Sequence, residues 1–250
     1  MRGPEGPGPL PARSPTQLAL PLRLEDHAAF ATLVPGRNAA AIAHARMLAT
    51  GRRGESLWLW GPAGVGKSHV LQAACREADA CGKRAMYLPL DAGERLAPDV
   101  LAGLDALDFL ALDRVETIAG RADWERALFD VLNELRAADK PLLLGASIAP
   151  GAAGFALADL ASRAGGATVY RLQPLDDDEQ IEALSLHARN RGFELEPAAA
   201  RFLQVRVRRD MSALCGWLHR LDAASLAARR RITIPFIRDS LAEASSHDST

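Results

Sequence analysis

Gly-Pro-Ala-Gly-Val-Gly-Lys-Ser, residues 61–68, is the stretch that decides the fold of this 250-residue chain. It fits the pattern G-x-x-x-x-G-K-[ST] at every fixed position, which predicts a loop that binds nucleotide phosphates. Glycine has no Cβ and tolerates positive φ, so backbone N–H groups can turn inward around phosphate oxygens. The lysine can reach the β- and γ-phosphates, and the serine hydroxyl can bind Mg²⁺. The predicted nucleotide-binding residues of this loop are Gly61, Pro62, Gly64, Val65, Gly66, Lys67 and Ser68.

The sequence on both sides of the loop supports this prediction. Leu-Trp-Leu-Trp at 57–60 is typical of a short buried strand, and residues 68–80 have a helical composition without proline. The phosphates would then lie at a helix N-terminus, where free N–H groups and the helix dipole attract anions. The alternative, a glycine-rich turn that binds nothing, is disfavoured because the pattern and both flanks agree.

A later apolar run, Phe-Leu-Ala-Leu-Asp at 109–113, predicts a strand that ends in a carboxylate. In loop-type NTPases such an aspartate holds magnesium, so we predict that Ser68 and Asp113 bind Mg²⁺. The next residue is Arg114, whose guanidinium stays protonated and cannot act as a general base. Glu116 is expected to point elsewhere if the strand geometry continues. Nucleotide binding is therefore expected to be better developed than nucleotide hydrolysis.

Three further apolar segments complete a predicted sheet of five strands. They span residues 84–90, 141–147 and 168–172, and helical segments alternate with them, including a short helix near 98–104. This alternation predicts an α/β fold in which a parallel sheet is covered by helices on both faces. Ser147, at the polar end of its strand, is predicted to face the nucleotide at the carboxyl edge of the sheet.

Apolar residues upstream of the phosphate-binding loop have two interpretations. Phe30, Leu33 and Val34 precede a helix-like run at residues 39–48. These three side chains can cover the adenine base of a nucleotide, or they can simply pack on the sheet. Composition does not distinguish the two, and we keep all three as candidates for the adenine side of the site.

The sequence beyond Pro174 is wholly helical. Asp176 or Asp177 can cap the first helix of this part, and an amphipathic stripe marks the third. Because strands have stopped, we predict a separate small helical domain. The helices are predicted at residues 176–191, 197–205, 211–228 and 235–243, and the stripe comprises Leu214, Trp217, Leu218 and Leu221.

The N-terminal residues have a different character. Residues 1–15 are rich in proline and glycine and cannot bury enough surface to fold alone. Gln-Leu-Ala-Leu-Pro-Leu follows at 17–22, and its alternating leucines are typical of a peptide that docks in a groove of a partner. An edge strand or a segment folded back on the core is the alternative. The predicted division is a disordered tail at 1–24, a core at 25–174, a helical domain at 175–243 and a polar tail at 244–250.

The composition excludes several classes of protein. The formal net charge of −1 argues against a protein that coats nucleic acid, which needs a broad basic face. The chain lacks a run of about eighteen apolar residues that could span a membrane. The N-terminus also lacks the apolar core of a signal peptide, so we expect a cytoplasmic protein.

A nucleotide-binding αβα core followed by a small helical lid resembles the AAA+ class of P-loop NTPases. Shorter motifs narrow this resemblance to the Hda family, the DnaA-related AAA+ proteins that inactivate the bacterial replication initiator DnaA. The resemblance extends from residue 17 to residue 241. It is carried by Gln-Leu-Ala-Leu-Pro-Leu at 17–22, Leu-Ala-Ser-Arg at 160–163, Leu-Gln-Pro-Leu at 172–175, Arg-Gly-Phe-Glu-Leu at 191–195 and Thr-Ile-Pro-Phe at 233–236.

The resemblance implies partners and a mechanism. Arg163, which by itself would be an ordinary solvated helix residue, falls where the family has an arginine finger that acts in trans on ATP bound to DnaA. The peptide at 17–22 is similar to the family's binding peptide for the DNA polymerase sliding clamp (its beta subunit), so DNA would be contacted only through the clamp. The sequence leaves the oligomeric state open, and a homo-oligomer is kept as an alternative to a monomer. The implied clamp-binding residues are Gln17, Leu18, Leu20, Pro21 and Leu22.

Two departures from the family pattern bear on activity. The sensor arginine of DnaA-type ATPases aligns with Ser212, with Arg208 and Arg209 upstream as possible substitutes. The chain also ends a few residues beyond Glu243, where the initiator continues into a DNA-binding domain, so direct origin recognition is not expected. The resemblance therefore implies a negative regulator of replication initiation that holds ADP (or ATP) and Mg²⁺ and has weak or no ATPase of its own. The alternatives are an autonomous AAA+ ATPase, such as a helicase loader or remodeller, and a passive clamp-bound adaptor.

Overall fold

The computed structural model of the protein describes residues 28–51, 54–91, 96–208 and 210–247. Its centre is a sheet of five parallel strands in the order β2-β3-β4-β1-β5. Because β1 lies between β4 and β5, the loop that follows β1 leaves the sheet at its carboxyl edge with a strand on either side. The strands are β1 (Ser56–Trp60), β2 (Ala85–Pro89), β3 (Phe109–Asp113), β4 (Leu142–Ala146) and β5 (Thr168–Arg171).

Helices cover both faces of the sheet, because side chains that alternate along the strands are apolar on both sides. One face, with Trp58 and Leu110, packs on α3; the other, with Leu57 and Phe109, packs on α1 and α2. The predicted α/β fold with a five-stranded parallel sheet is confirmed. The helices of this layer are α1 (Ala39–Thr50), α2 (Lys67–Ala80), α3 (Ala122–Ala137) and α4 (Ala158–Gly165).

The short helix predicted around 98–104 is of the 3₁₀ type and is interrupted. The chain forms two 3₁₀ turns there, Pro98–Leu101 and Leu104–Ala106. Gly103 stands between them with φ 75°, a left-handed conformation that an α-helix cannot contain. Pro98 at the start of the first turn and Gly103 before the second therefore keep both turns short.

Helix α3 contacts the sheet through a stripe of buried residues that recur with the helical period. The stripe also carries one buried charge, since Glu125 is only 1% exposed. Its carboxylate accepts three backbone hydrogen bonds, from Gly120 at 2.6 Å, Ala156 at 3.0 Å and Leu157 at 2.7 Å. Leu157 is the residue that precedes α4, so Glu125 ties the start of α4 to α3. The apolar members of the stripe, all buried, are Trp124, Leu128, Val131, Leu132 and Leu135.

Replacing Glu125 with alanine is expected to destabilise the protein by about 3 kcal/mol, because three buried N–H groups lose their acceptor. Glu125→Gln keeps one acceptor oxygen and is expected to lose about half as much. Burial alone would raise the pKa of Glu125, but the three N–H donors together hold it below its usual range. Its stabilising effect is then complete above the unfolded-state pKa of about 4.3 and is lost as the pH falls below that value. Urea unfolding at several pH values measures both effects, and an alanine variant as stable as the parent would contradict them.

The C-terminal part of the structure is helical and has a hydrophobic cluster of its own. Asp176 caps its first helix by accepting a hydrogen bond of 2.9 Å from the Glu179 N–H, and the Asp176 N–H donates one of 2.9 Å to Glu179 Oε2. Leu214, Leu218 and Leu221 are fully buried in the cluster, with Trp217 packed beside them. We refer to this part as the helical lid; the exact domain limits stay a prediction. Its helices are α5 (Asp177–Asn190), α6 (Pro197–Arg206), α7 (Met211–Ala228) and α8 (Ile234–His247).

Contacts made by Asn38 and His69 help to position the lid against the core. The Asn38 side chain donates to Gln173 O at 2.8 Å and accepts from Gln173 N at 2.7 Å, just after β5. The imidazole rings of His69 in α2 and His187 in α5 meet edge to face, with centroids 5.3 Å apart. In the part of the chain that the structure describes, no helix is both long and apolar enough to cross a bilayer.

Candidate nucleotide-binding site

The loop at 61–68 connects β1 directly to α2, as its flanks predict. Gly61 and Gly66 have positive φ values of 152° and 99°, which a side chain at either position would disfavour. A Cβ on Gly61 would also lie 2.8 Å from the carbonyl oxygen of Leu172. These glycines therefore shape the loop so that α2 begins at Lys67, with its first N–H groups beside the loop.

The Lys67 side chain folds back over the loop. Its Nζ donates to the carbonyl oxygens of Gly61 at 2.8 Å and Pro62 at 2.9 Å. Burial lowers the pKa of Lys67, while the nearby carboxylates of Asp113 and Glu116 act in the opposite direction. The ammonium is thus held at the loop by weak neutral acceptors, which a phosphate oxygen can replace with a stronger charged one.

Ser68 and Asp113, the predicted magnesium pair, lie in contact. The Ser68 hydroxyl donates to Asp113 Oδ2 at 2.5 Å, and Asp113 is 1% exposed at the carboxyl end of β3. A hydroxyl and a carboxylate oxygen side by side suit Mg²⁺, which binds one or two protein oxygens together with phosphates and water. The geometry therefore fits the metal, and its binding stays a prediction.

Tyr87 is a site residue that the sequence did not indicate. Its hydroxyl donates to Asp113 Oδ2 at 2.8 Å from the neighbouring strand β2. Burial, followed by the charge of Asp113, raises the pKa of this phenol, so it remains a donor at every physiological pH. The phenol holds the carboxylate in place, together with the Arg114 N–H at 2.9 Å from Asp113 Oδ1.

The expectation that Glu116 points away from the site was wrong. Arg114 adopts a left-handed conformation, φ 56° and ψ 43°, so the strand geometry ends at Asp113 and the chain turns back. Glu116 Oε1 accepts a hydrogen bond of 2.9 Å from the N–H of Ser147, at the end of β4. Its Oε2 is buried without a hydrogen-bond partner among the described residues. Arg114 itself forms an ion pair with Asp91 at its guanidinium.

The other predicted residues of the core lie around this edge. Ser147 follows β4 and is exposed, and its N–H is the group that Glu116 holds. Phe30 and Leu33 are partly buried against the cluster that contains α1 and α2, and Val34 is buried. This packing agrees with the second of their two interpretations, while a contact with adenine stays a prediction.

The helical lid reaches the phosphate-binding loop through the turn before α7. Asp210 packs against Gly64, since a Cβ on that glycine would lie 2.7 Å from Asp210 Cβ. Arg208 pairs with Asp210, Nε to Oδ2 at 3.3 Å. Ser212 stands in the first turn of α7, and Arg209 lies outside the described residues. Sequence reasoning missed Asp210, because only the folded lid brings it to the loop.

Arg163 lies away from this loop, in the last turn of α4. It borders a surface groove of about 270 Å³ with Phe129, Arg136 and Asp159. The guanidinium of Arg163 forms neither a hydrogen bond nor an ion pair with any residue in the described part of the chain. The peptide at 17–22 lies outside the described residues.

Comparison with known protein families shows which family the chain belongs to. The model for the bacterial DnaA ATPase domain matches residues 24–165, which is more than half of the 250 residues. The chain belongs to this family. The model for the Hda lid domain matches residues 177–241, the helical lid. The predicted relation to Hda and DnaA is therefore confirmed, and this DnaA-related AAA+ protein carries an Hda-type lid.

Solved structures show the same fold at low sequence identity. Domain III of the Thermotoga maritima replication initiation protein DnaA superposes with a TM-score of 0.73 at 20% identity, over 86% of this chain and 96% of that one. DnaA bound to AMPPCP and single-stranded DNA gives 0.60 at 19% identity, over 75% and 60%. The Thermotoga maritima RuvB Holliday junction branch migration motor gives 0.59 at 20% identity, over 82% and 68%. At these identities the likeness is one of fold alone.

Proposed function

We propose that this DnaA-related AAA+ protein is a negative regulator of DNA replication initiation. It docks on the beta sliding clamp of DNA polymerase and stimulates ATP hydrolysis by DnaA, which leaves DnaA in its ADP form. In this proposal the chemistry takes place on DnaA, and Arg163 supplies a guanidinium to it in trans. The association of a DnaA-type core with an Hda-type lid supports this assignment.

The observation that carries the proposal is that the guanidinium of Arg163 has no hydrogen-bond or ion-pair partner among the described residues. Within the described residues no internal acceptor holds it, although its side chain is half-buried at the end of α4. Glu125 fixes the start of the same helix, so the guanidinium is mounted on a rigid support. An arginine supplied in trans stabilises the charge on a transferred phosphoryl group and can raise hydrolysis about 10³- to 10⁵-fold.

The phosphate-binding loop of this chain then serves to bind nucleotide, with Lys67 on the phosphates and Ser68 and Asp113 on Mg²⁺. The DnaA of Aquifex aeolicus, which shares the fold, was solved bound to AMPPCP. We propose ADP as the resident nucleotide, since Arg114 faces Asp91 and Ser212 offers no positive charge for a γ-phosphate. Bound Mg²⁺ would neutralise phosphate charge.

A second candidate function, an autonomous AAA+ ATPase, is favoured by one observation. Glu116 returns to the carboxyl edge of the sheet, where its charge acts to raise the pKa of Lys67. Its Oε2 has no hydrogen-bond partner in the described part of the structure. A carboxylate at this edge can orient an attacking water. Under this alternative the purified chain alone turns over ATP at a steady rate.

The decisive experiment measures hydrolysis of DnaA-bound ATP in four mixtures. They contain DnaA alone, DnaA with this protein, DnaA with DNA-loaded clamp, and DnaA with both; this protein with ATP alone is run in parallel. We expect fast hydrolysis only with both, and Gln17→Ala combined with Leu20→Ala is expected to abolish it and to eliminate clamp binding in a pull-down. Retained clamp binding by the double variant would refute the tether. Rapid turnover by this protein alone would favour the autonomous ATPase.

A further inference from the structure

Asp210 places a negative charge on the loop that is proposed to bind phosphates. A Cβ on Gly64 would lie 3.0 Å from Asp210 Oδ1 as well as 2.7 Å from its Cβ, so the carboxylate packs directly on the loop backbone. Gly64 stands in the middle of the stretch whose N–H groups surround phosphates in such loops. An acidic side chain at this position opposes the anion that the loop attracts.

Two contacts hold the Asp210 side chain in this place. Its Oδ1 accepts a hydrogen bond of 2.9 Å from Ala213 N, which caps α7, and its Oδ2 pairs with Arg208 at 3.3 Å. The side chain of Arg208 is 85% exposed, against 25% for Asp210. Water largely screens an ion pair when one of its side chains is this exposed, so Arg208 offsets only part of the carboxylate charge of Asp210.

The positively charged groups of the loop, which lie opposite Asp210, favour the binding of anions. Lys67 supplies the positive charge of the site, and the first N–H groups of α2 add to it. A triphosphate brings one more negative charge to this loop than a diphosphate does. The repulsion from Asp210 therefore weakens the binding of a triphosphate more than that of a diphosphate.

We propose that Asp210 is a specificity-determining residue that makes this site prefer nucleoside diphosphates to nucleoside triphosphates. The inference rests on the proposed function of the loop and adds the residue that sets its choice of nucleotide. It also gives the lid a direct part in nucleotide selection, because Asp210 precedes α7 and belongs to the lid.

Asp210→Asn tests this proposal with little structural change, since asparagine caps a helix as well as aspartate and has nearly the same shape. Calorimetric titration of the full chain with Mg-ADP and Mg-ATP gives both affinities. We expect the affinity for ATP to rise about tenfold and that for ADP about threefold or less, and we expect the difference to shrink at high salt. Asp210→Ser, which also keeps a capping oxygen, is expected to behave in the same way.

Asp178→Asn is the matched control, because it removes another lid carboxylate that pairs with an arginine. Asp178 lies 3.1 Å from Arg201 and is 88% exposed, and we expect its variant to keep the parental affinities. An unchanged ratio of ADP to ATP affinity in both Asp210 variants would overturn the role of Asp210 and leave nucleotide binding intact. A parent chain that binds neither nucleotide would overturn the proposed function of the loop, and this inference with it.

Discussion

Arg163→Ala is expected to reduce the stimulation of DnaA-ATP hydrolysis about 10³-fold, while clamp binding and nucleotide binding by this chain stay unchanged. The side chain borders an open groove and has no internal partner within the described residues, so its removal leaves no buried charge unpaired. Arg163→Lys keeps the positive charge but loses the planar fork that binds two phosphate oxygens at once. We expect it to recover only a small part of the stimulation.

Arg84→Ala is the matched control for this experiment. Arg84 is an exposed arginine that pairs with Asp108 at 3.1 Å, and it precedes β2 at the amino edge of the sheet. Its loss is expected to leave the stimulation unchanged, because Arg84 precedes β2 at one end of the sheet, whereas Arg163 precedes β5 at the other end. Single-turnover hydrolysis by DnaA, with loaded clamp and each variant, measures the effect. Full stimulation by Arg163→Ala would remove the arginine-finger assignment.

Lys67→Ala is expected to weaken ADP binding about 100-fold, because the charge-assisted hydrogen bonds from Nζ to the phosphates are lost. The fold is expected to survive, since Lys67 Nζ is bonded to only two carbonyl oxygens of its own loop. Titration calorimetry gives the affinity directly. The stabilisation of the protein by a fixed ADP concentration is expected to fall in parallel, because a ligand stabilises only as far as it binds.

Lys83 provides a comparable lysine elsewhere on the surface of the core. Its Nζ also donates to a backbone carbonyl, that of Ala49, at 2.8 Å. Lys83→Ala therefore removes the same kind of internal hydrogen bond without touching the phosphate-binding loop, and we expect it to keep the parental ADP affinity. Equal ADP affinity in Lys67→Ala and the parent would mean that the loop does not hold phosphates.

Features that depend on neighbours in the sequence could be predicted from the sequence alone. The five strands, the helix that follows the phosphate-binding loop and the apolar stripe of α3 all follow from local periodicity and composition. The Asp176 cap is equally local, because the capping box from Asp176 to Glu179 spans only four residues. Ser68 and Asp113 lie in contact because all strands of a parallel sheet end at the same edge, and only β4 separates β3 from β1; their binding of Mg²⁺ stays a prediction.

The remaining site residues depend on geometry that composition does not encode. Arg114 adopts a left-handed conformation that is uncommon for any residue other than glycine, and the turn it makes reverses the expected direction of Glu116. Tyr87 reaches Asp113 from the neighbouring strand, and which strands become neighbours depends on the whole sheet. Asp210 meets Gly64 only after the lid has folded against the core.

The two hydrogen bonds between Asn38 and Gln173 restrict the backbone at the junction of core and lid. Gln173 is anchored to the core at both its N–H and its C=O, and Asp176 already caps α5. Only Pro174 and Leu175 lie between these two fixed points, and proline has little torsional freedom. The junction is therefore short and stiff, which fixes the direction in which α5 leaves the core and helps to keep Asp210 against Gly64.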